Sequence, residues 1–178
     1  MGVYVHEALF DYFRWRIKLI KRNQMIPMNL IIRPVALDDY EEWLPLWDGY
    51  NLFYGRSGAT ALPGIITRTT WDRFFDETEP VFALVAELDG RLVGLTHYIF
   101  HRSTTNIKPV CYLQDLFTDS AIRGKGVGRA LINGVYEQAR LAGSTRVYWL
   151  THKTNTTAMM LYDSVADNSG FLVYRKIF

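Results

Sequence analysis

The spacing of hydrophobic positions changes several times along the chain, and each change predicts an element. Leu30–Pro34 is a short apolar stretch that reads as a strand. From Asp38 the period lengthens: Trp43, Trp47, Tyr50 and Tyr54 recur at spacings of four, three and four, which is one face of a helix. Asp38 followed by Glu41 has the form of a capping box, and Pro45 predicts a kink or a break into two pieces. Residues 55–64 form a loop of small side chains, and residues 67–76 a second short helix bearing Trp71, Phe74 and Phe75. Val81–Leu88 and residues 92–100 are strands joined by Asp89-Gly90, a strong two-residue hairpin signal. A polar loop leads to a third strand, Val110–Thr118, then to a strongly periodic helix over 127–142. A strand over 146–151, a helix over 156–165 and a terminal strand over 171–176 complete the chain. The order β-αα-β-β-β-α-β-α-β predicts an α/β (α+β) fold with a mixed central sheet flanked by helices.

Composition narrows the function. The chain has 178 residues, 49% of them hydrophobic, which suits one globular domain with a real core. A formal net charge of +2 gives no ground for a nucleic-acid partner. No apolar run approaches the ~20 residues that span a bilayer, so no stable membrane insertion is expected. The single cysteine, Cys111, excludes an intrachain disulfide and a cysteine-based zinc cluster, and inside an apolar strand it reads as a buried structural thiol. His97, His101 and His152 have no compelling ligand spacing, so no metal is expected. Without a convincing signal peptide the expected location is cytoplasmic.

The start of the chain differs from the rest. Arg14, Arg16, Lys18, Lys21 and Arg22 outnumber Glu7 and Asp11, and Leu9, Phe13, Ile17 and Ile20 recur at helical spacing. Residues 1–28 therefore read as a basic amphipathic extension that could dock on the domain, touch a membrane surface or bind a partner. A loosely ordered tail, or residues upstream of a start at Met28, fit equally well. Residues 29–178 form the domain.

The chemistry concentrates after the third strand. Arg123-Gly124-Lys125-Gly126-Val127-Gly128 follows four turn residues and opens the periodic helix. Glycine lets the backbone approach a ligand closely, and the free N–H groups and dipole of a helix start favour an anion. The spacing supplies neither a P-loop nor a dinucleotide fingerprint. A second constellation, Asn155 to Tyr162, spans seven residues, placing both on one helical face two turns apart. Asn155 also fits a plain N-cap.

The run R-x-x-G-x-G, carried by Arg123, Gly126 and Gly128, resembles the acyl-CoA pyrophosphate loop of the GNAT N-acetyltransferase superfamily. The element order is that of the GNAT fold, and the resemblance covers about residues 30–178. Asn155-Thr156-Thr157-Ala158-Met159-Met160-Leu161-Tyr162 is similar to the family's N-x-x-A-x-x-L-Y. The resemblance implies an N-acetyltransferase that moves an acetyl group from acetyl-CoA to a primary amine directly, in a ternary complex. It assigns cofactor contacts to Leu116, Phe117 and Thr118, to Arg123, Gly124, Lys125, Gly126, Val127, Gly128 and Arg129, and to Asn155. It gives Tyr162 the task of protonating the departing thiolate. Tyr112-Leu113-Gln114-Asp115-Leu116-Phe117 is similar to the same strand in diamine acetyltransferases, where a glutamate commonly stands at the position of Gln114. Glutamine is no base, so Asp115 is the candidate, acting through a water or selecting a cation. Strand alternation sets Gln114 and Asp115 on opposite faces unless a bulge intervenes.

With Thr96 to Thr104 and Tyr148 to His152, these stretches resemble the branch of histone and polyamine acetyltransferases. That likeness implies a polyamine or other small amine, or a lysine-bearing peptide, as acceptor, and a homodimer. Trp47, Tyr50, Phe53 and Tyr54 could wall its pocket, with aromatic faces favouring a cation, or simply fill the core. A non-catalytic acyl-CoA-binding regulatory module is the alternative that Gln114 leaves open.

Overall fold

In the computed structural model, residues 29–178 are described; the amphipathic reading of the first 28 lies outside them. Five strands, β1 (Leu30–Pro34), β2 (Val81–Leu88), β3 (Arg91–His101), β4 (Val110–Thr118) and β5 (Val147–Tyr148), lie side by side in that order. The first four are antiparallel neighbours, and β5 runs parallel to β4, which makes the sheet mixed as expected. The hairpin between β2 and β3 turns at Asp89 and Gly90, with Asp89 itself at φ 52°, as a tight primed turn requires.

Strand alternation divides the apolar residues between the two faces of the sheet. One face carries Val85 and Leu95 and packs helices α1 (Tyr40–Phe53) and α2 (Gly64–Arg73) through Trp43, Trp47, Tyr50 and Trp71. The other carries Leu84, Ala86, Cys111 and Leu113 and packs helix α3 (Val127–Leu141) through Val127, Leu131, Ile132 and Val135. Cys111 is fully buried, and burial pushes its thiol up to about 12, which keeps it inert. Helix α4 (Thr156–Tyr162) closes the same side, with Leu161 and Tyr162 against this second core.

Five expectations need correction. Pro45 does not break α1, which runs unbroken from Tyr40 to Phe53; proline removes one N–H from the second turn, and Trp43, Leu46, Trp47 and Tyr50 bury the same face on both sides of it. Asp39 rather than Asp38 organises the helix entry: it accepts the Ala36 N–H at 2.7 Å and pairs with Arg33, which also holds Glu87 of β2. Helix α2 begins three residues earlier than its sequence suggests and ends at Arg73, and α4 stops at Tyr162 rather than Val165. Residues 171–176 form no strand, and Phe171, Leu172, Tyr174, Ile177 and Phe178 are exposed. The apolar run Phe171 to Tyr174 marks a strand former, but a strand forms only where it finds an edge to pair with.

Candidate active site

A single irregularity in β4 builds the site. Leu113 pairs with Tyr98 and Asp115 with His97, so Gln114 has no opposite residue and is bulged out. The bulge turns Asp115 onto the face of His97 and α1 and leaves Gln114 exposed. Pairing with β5 covers only Cys111↔Val147 and Tyr112↔Tyr148. Leu116, Phe117 and Thr118 lie beyond that ladder, and Arg123 Nε takes the Thr118 carbonyl.

Asp115 is held by a buried chain of hydrogen bonds. An indole N–H can only donate, so Trp43 Nε1 donates to His97 Nε2 at 3.1 Å. That contact places the imidazole proton on Nδ1, which donates to Asp115 Oδ2 at 2.9 Å. His97 is 2% exposed and Asp115 7%. Thr96 Oγ1 donates to the Asp115 carbonyl at 2.8 Å and fixes the backbone beneath it. Tyr50 of α1 stands on the other side of the carboxylate; burial, then the Asp115 charge and a hydrogen bond to it, push the Tyr50 phenol far above its ordinary value. Asp115 is thus fixed through its side chain by His97 and through its carbonyl by Thr96.

Tyrosines line the space in front of it. The Tyr54 and Tyr112 phenols are raised, first by burial and next by Asp115. Tyr162 of α4 is pushed up to about 12, by burial and then by Tyr54, so its hydroxyl keeps its proton throughout the neutral range. Trp149 packs edge-on against its ring at 5.4 Å.

The glycine run stands at the far end of β4. Gly126 is the N-cap of α3 at φ 85°, a left-handed conformation suited to glycine, and no side chain caps the helix. The first N–H groups of α3 are therefore available to an anion. A Cβ at Gly128 would stand 3.3 Å from Leu161, so the helix start lies tightly against α4. Val127 turns its side chain into the core and offers only backbone. Arg123 donates from Nε to the Thr118 carbonyl at 3.1 Å and covers the Phe117 ring. Arg129 is bonded to Ser164 at 2.7 Å, which ties α3 to the end of α4. Gly124 and Lys125 are exposed. Asn155 opens α4 without capping it, its side-chain amide reaching Thr151 Oγ1 at 3.4 Å.

Other candidates fall outside this arrangement. Trp47 is core, stacked between Trp43 and Tyr50, and Phe53 is exposed. His101 bonds Tyr148 at 3.0 Å, and His152 is exposed against Thr154. The role of His97 behind Asp115 depends on the bulge. Among the described residues no group of three or more His, Cys, Asp or Glu is arranged to hold a metal ion, and no helix is long and apolar enough to cross a membrane. Arg56, just past α1, escaped the sequence reading; the signal beside it is Gly55, which marks a helix stop.

The chain belongs to the acetyltransferase (GNAT) family, whose model matches residues 41–166, and it is an acetyltransferase. It is 32% identical over 156 residues to the D-amino-acid N-acetyltransferase HPA3 of Saccharomyces cerevisiae, covering 86% of this chain and 94% of that one. An uncharacterized N-acetyltransferase, YhfO of Bacillus subtilis, is 28% identical over 145 residues, 80% of this chain and 94% of the relative. Among solved structures, a transcriptional regulator from Bacillus halodurans shares the fold with a TM-score of 0.71 at 21% identity, covering 84% of this chain and 99% of that one. An aminoglycoside acetyltransferase from an uncultured soil metagenomic sample, in complex with sisomicin, has a TM-score of 0.70 at 18% identity, covering 84% and 97%. The family generally uses acetyl-CoA, and its acceptors bear an amine.

Proposed function

We propose that this protein transfers the acetyl group of acetyl-CoA directly to a primary amine held in a ternary complex. The observation that carries this reading is the glycine-opened, uncapped start of α3 beyond the end of β4, in a chain of the acetyltransferase (GNAT) family. The uncapped start of α3 fits the pyrophosphate, and the stretch Leu116, Phe117 and Thr118, which lies beyond the ladder with β5, fits the amides of the pantetheine arm. When bound, acetyl-CoA supplies an acyl carbon activated as a thioester. Asp115 takes a proton from the incoming ammonium, directly or through one water, and frees the nitrogen lone pair. The nitrogen–carbon bond forms, the carbon–sulfur bond breaks, and Tyr162 gives its phenol proton to the sulfur. The surplus proton on nitrogen restores Tyr162 through solvent, and Asp115 releases its own proton to water, so one proton is set free per turnover.

Polyamines, other small amines and lysine side chains, the acceptors of the resembled branch, share the primary amine this chemistry needs. The yeast relative's name adds free amino acids to that set. A homodimer is part of the same proposal, and the exposed apolar side chains at residues 171–178 support it.

Free-thiol release from acetyl-CoA tests the reading. The wild type releases thiol only when a primary amine is added. Tyr162→Phe lowers kcat by roughly 10²-fold, the scale of a lost general acid, and changes the KM for acetyl-CoA little. No amine-dependent release with any class of acceptor would overturn the proposal.

A further inference from the structure

Arg56 is placed by the end of α1 in a way that leaves its charge without an ionic partner among the described residues. Gly55 stands at φ 73°; its N–H bonds the Leu52 carbonyl at 3.0 Å, and the Arg56 N–H bonds the Asn51 carbonyl at 2.9 Å. Those two bonds are the Schellman pattern, which fixes the residue after the glycine relative to the helix. The guanidinium lies over two rings of that helix, 5.5 Å from the centroids of Tyr50 and Tyr54. Its Nε is buried without a hydrogen-bond partner, and no carboxylate among the described residues pairs with it. Asn51 Oδ1, on the same cleft of about 360 Å³, is likewise buried without a partner.

An arginine donor buried without an acceptor is costly, and a guanidinium matches a carboxylate with two parallel hydrogen bonds. Tyr50 relates this cation to the candidate active site: Asp115 helps to raise its phenol, and its ring lies under Arg56. One aromatic platform is therefore flanked by a carboxylate at one side and a guanidinium at the other. A polyamine would bring a second positive charge towards Arg56 and be repelled. A zwitterion satisfies both ends.

We infer that Arg56 is the anchor for a carboxylate on the acceptor, and that the acceptor is a free α-amino acid whose ammonium group faces Asp115 while its carboxylate meets Arg56. This rests on the amine-transfer reading above and names its substrate class from a residue that reading does not use.

The test compares acceptors that differ only in the carboxylate: amino acids of both hands with small, aromatic and basic side chains, the matching amino-acid amides, the matching decarboxylated amines, and spermidine. Thiol release gives kcat and KM for each, and calorimetric titration of the same compounds into the CoA-loaded protein gives affinity without turnover. The acids are expected to exceed their amides at least tenfold in kcat/KM, through KM. Arg56→Gln abolishes that preference while leaving turnover of the amides unchanged, and Arg56→Lys restores part of it. Equal or better turnover of amides, decarboxylated amines or spermidine by the wild type would overturn the inference and leave amine transfer standing, as would an acid preference that survives in Arg56→Gln. If no compound releases thiol, amine transfer fails, and the titration alone decides: acid-selective binding lost in Arg56→Gln supports the anchor, and its absence overturns it.

Discussion

Asp115→Asn is expected to lower kcat for amine acetylation by roughly 10²–10⁴-fold, the contribution typical of a positioned general base. The substitution keeps the size of the side chain and removes its ability to take a proton. It also sets an amide opposite His97 Nδ1–H, 2.9 Å from the carboxylate oxygen. Where the NH₂ group faces that donor, the loss is about 1–3 kcal/mol in stability. Steady-state kinetics together with thermal unfolding separate the two effects: the variant remains folded at assay temperature and is slow. A kcat within threefold of wild type would remove Asp115 from the chemistry.

The second large effect concerns the support behind that carboxylate. Trp43 is completely buried and packs against Tyr40, Trp47, Trp71, Phe74 and His97. Trp43→Ala is expected to cost about 3–5 kcal/mol, the usual range for emptying an aromatic site in a core. The change also removes the donor to His97 Nε2, leaving a buried imidazole nitrogen with no partner. Urea unfolding followed by far-ultraviolet circular dichroism reads the loss directly. Trp43→Phe retains most of the volume and loses only the N–H, so it falls between wild type and alanine. A loss below 1 kcal/mol in the alanine variant would show that α1 is held to the sheet by other contacts.

The parts of this molecule that local pattern controls were legible in its sequence. β4 begins at Val110 and ends at Thr118 where its apolar run does, and α3 starts at Val127, just after the glycines that open it. The sheet's mixed character followed from element order alone. Properties that belong to pairs of elements were not legible. Gln114 reads as an ordinary member of an alternating strand, and only its missing partner on β3 reveals the bulge that brings Asp115 beside His97. His97 could be suspected from its strand but not placed, because its tautomer is set by Trp43, 54 residues away. Arg56 lay in what reads as a small-residue loop, and its significance comes from the two tyrosine rings beneath it and from an N–H with no acceptor. Pro45 misled for a related reason: propensity argues for a break, and the row of buried aromatics on α1 overrides it. Residues 171–176 carry a strand-like apolar run that pairs with no described strand.

Mass analysis of a reaction containing the wild-type protein, acetyl-CoA and an amino acid tests the central claim most directly. The account predicts an N-acetylated amino acid formed in equal amount to free CoA thiol, with the protein's own mass unchanged when the acceptor is left out. Thiol released without acetylated amine, or an acetyl group found on the protein before the acceptor is added, would contradict direct transfer.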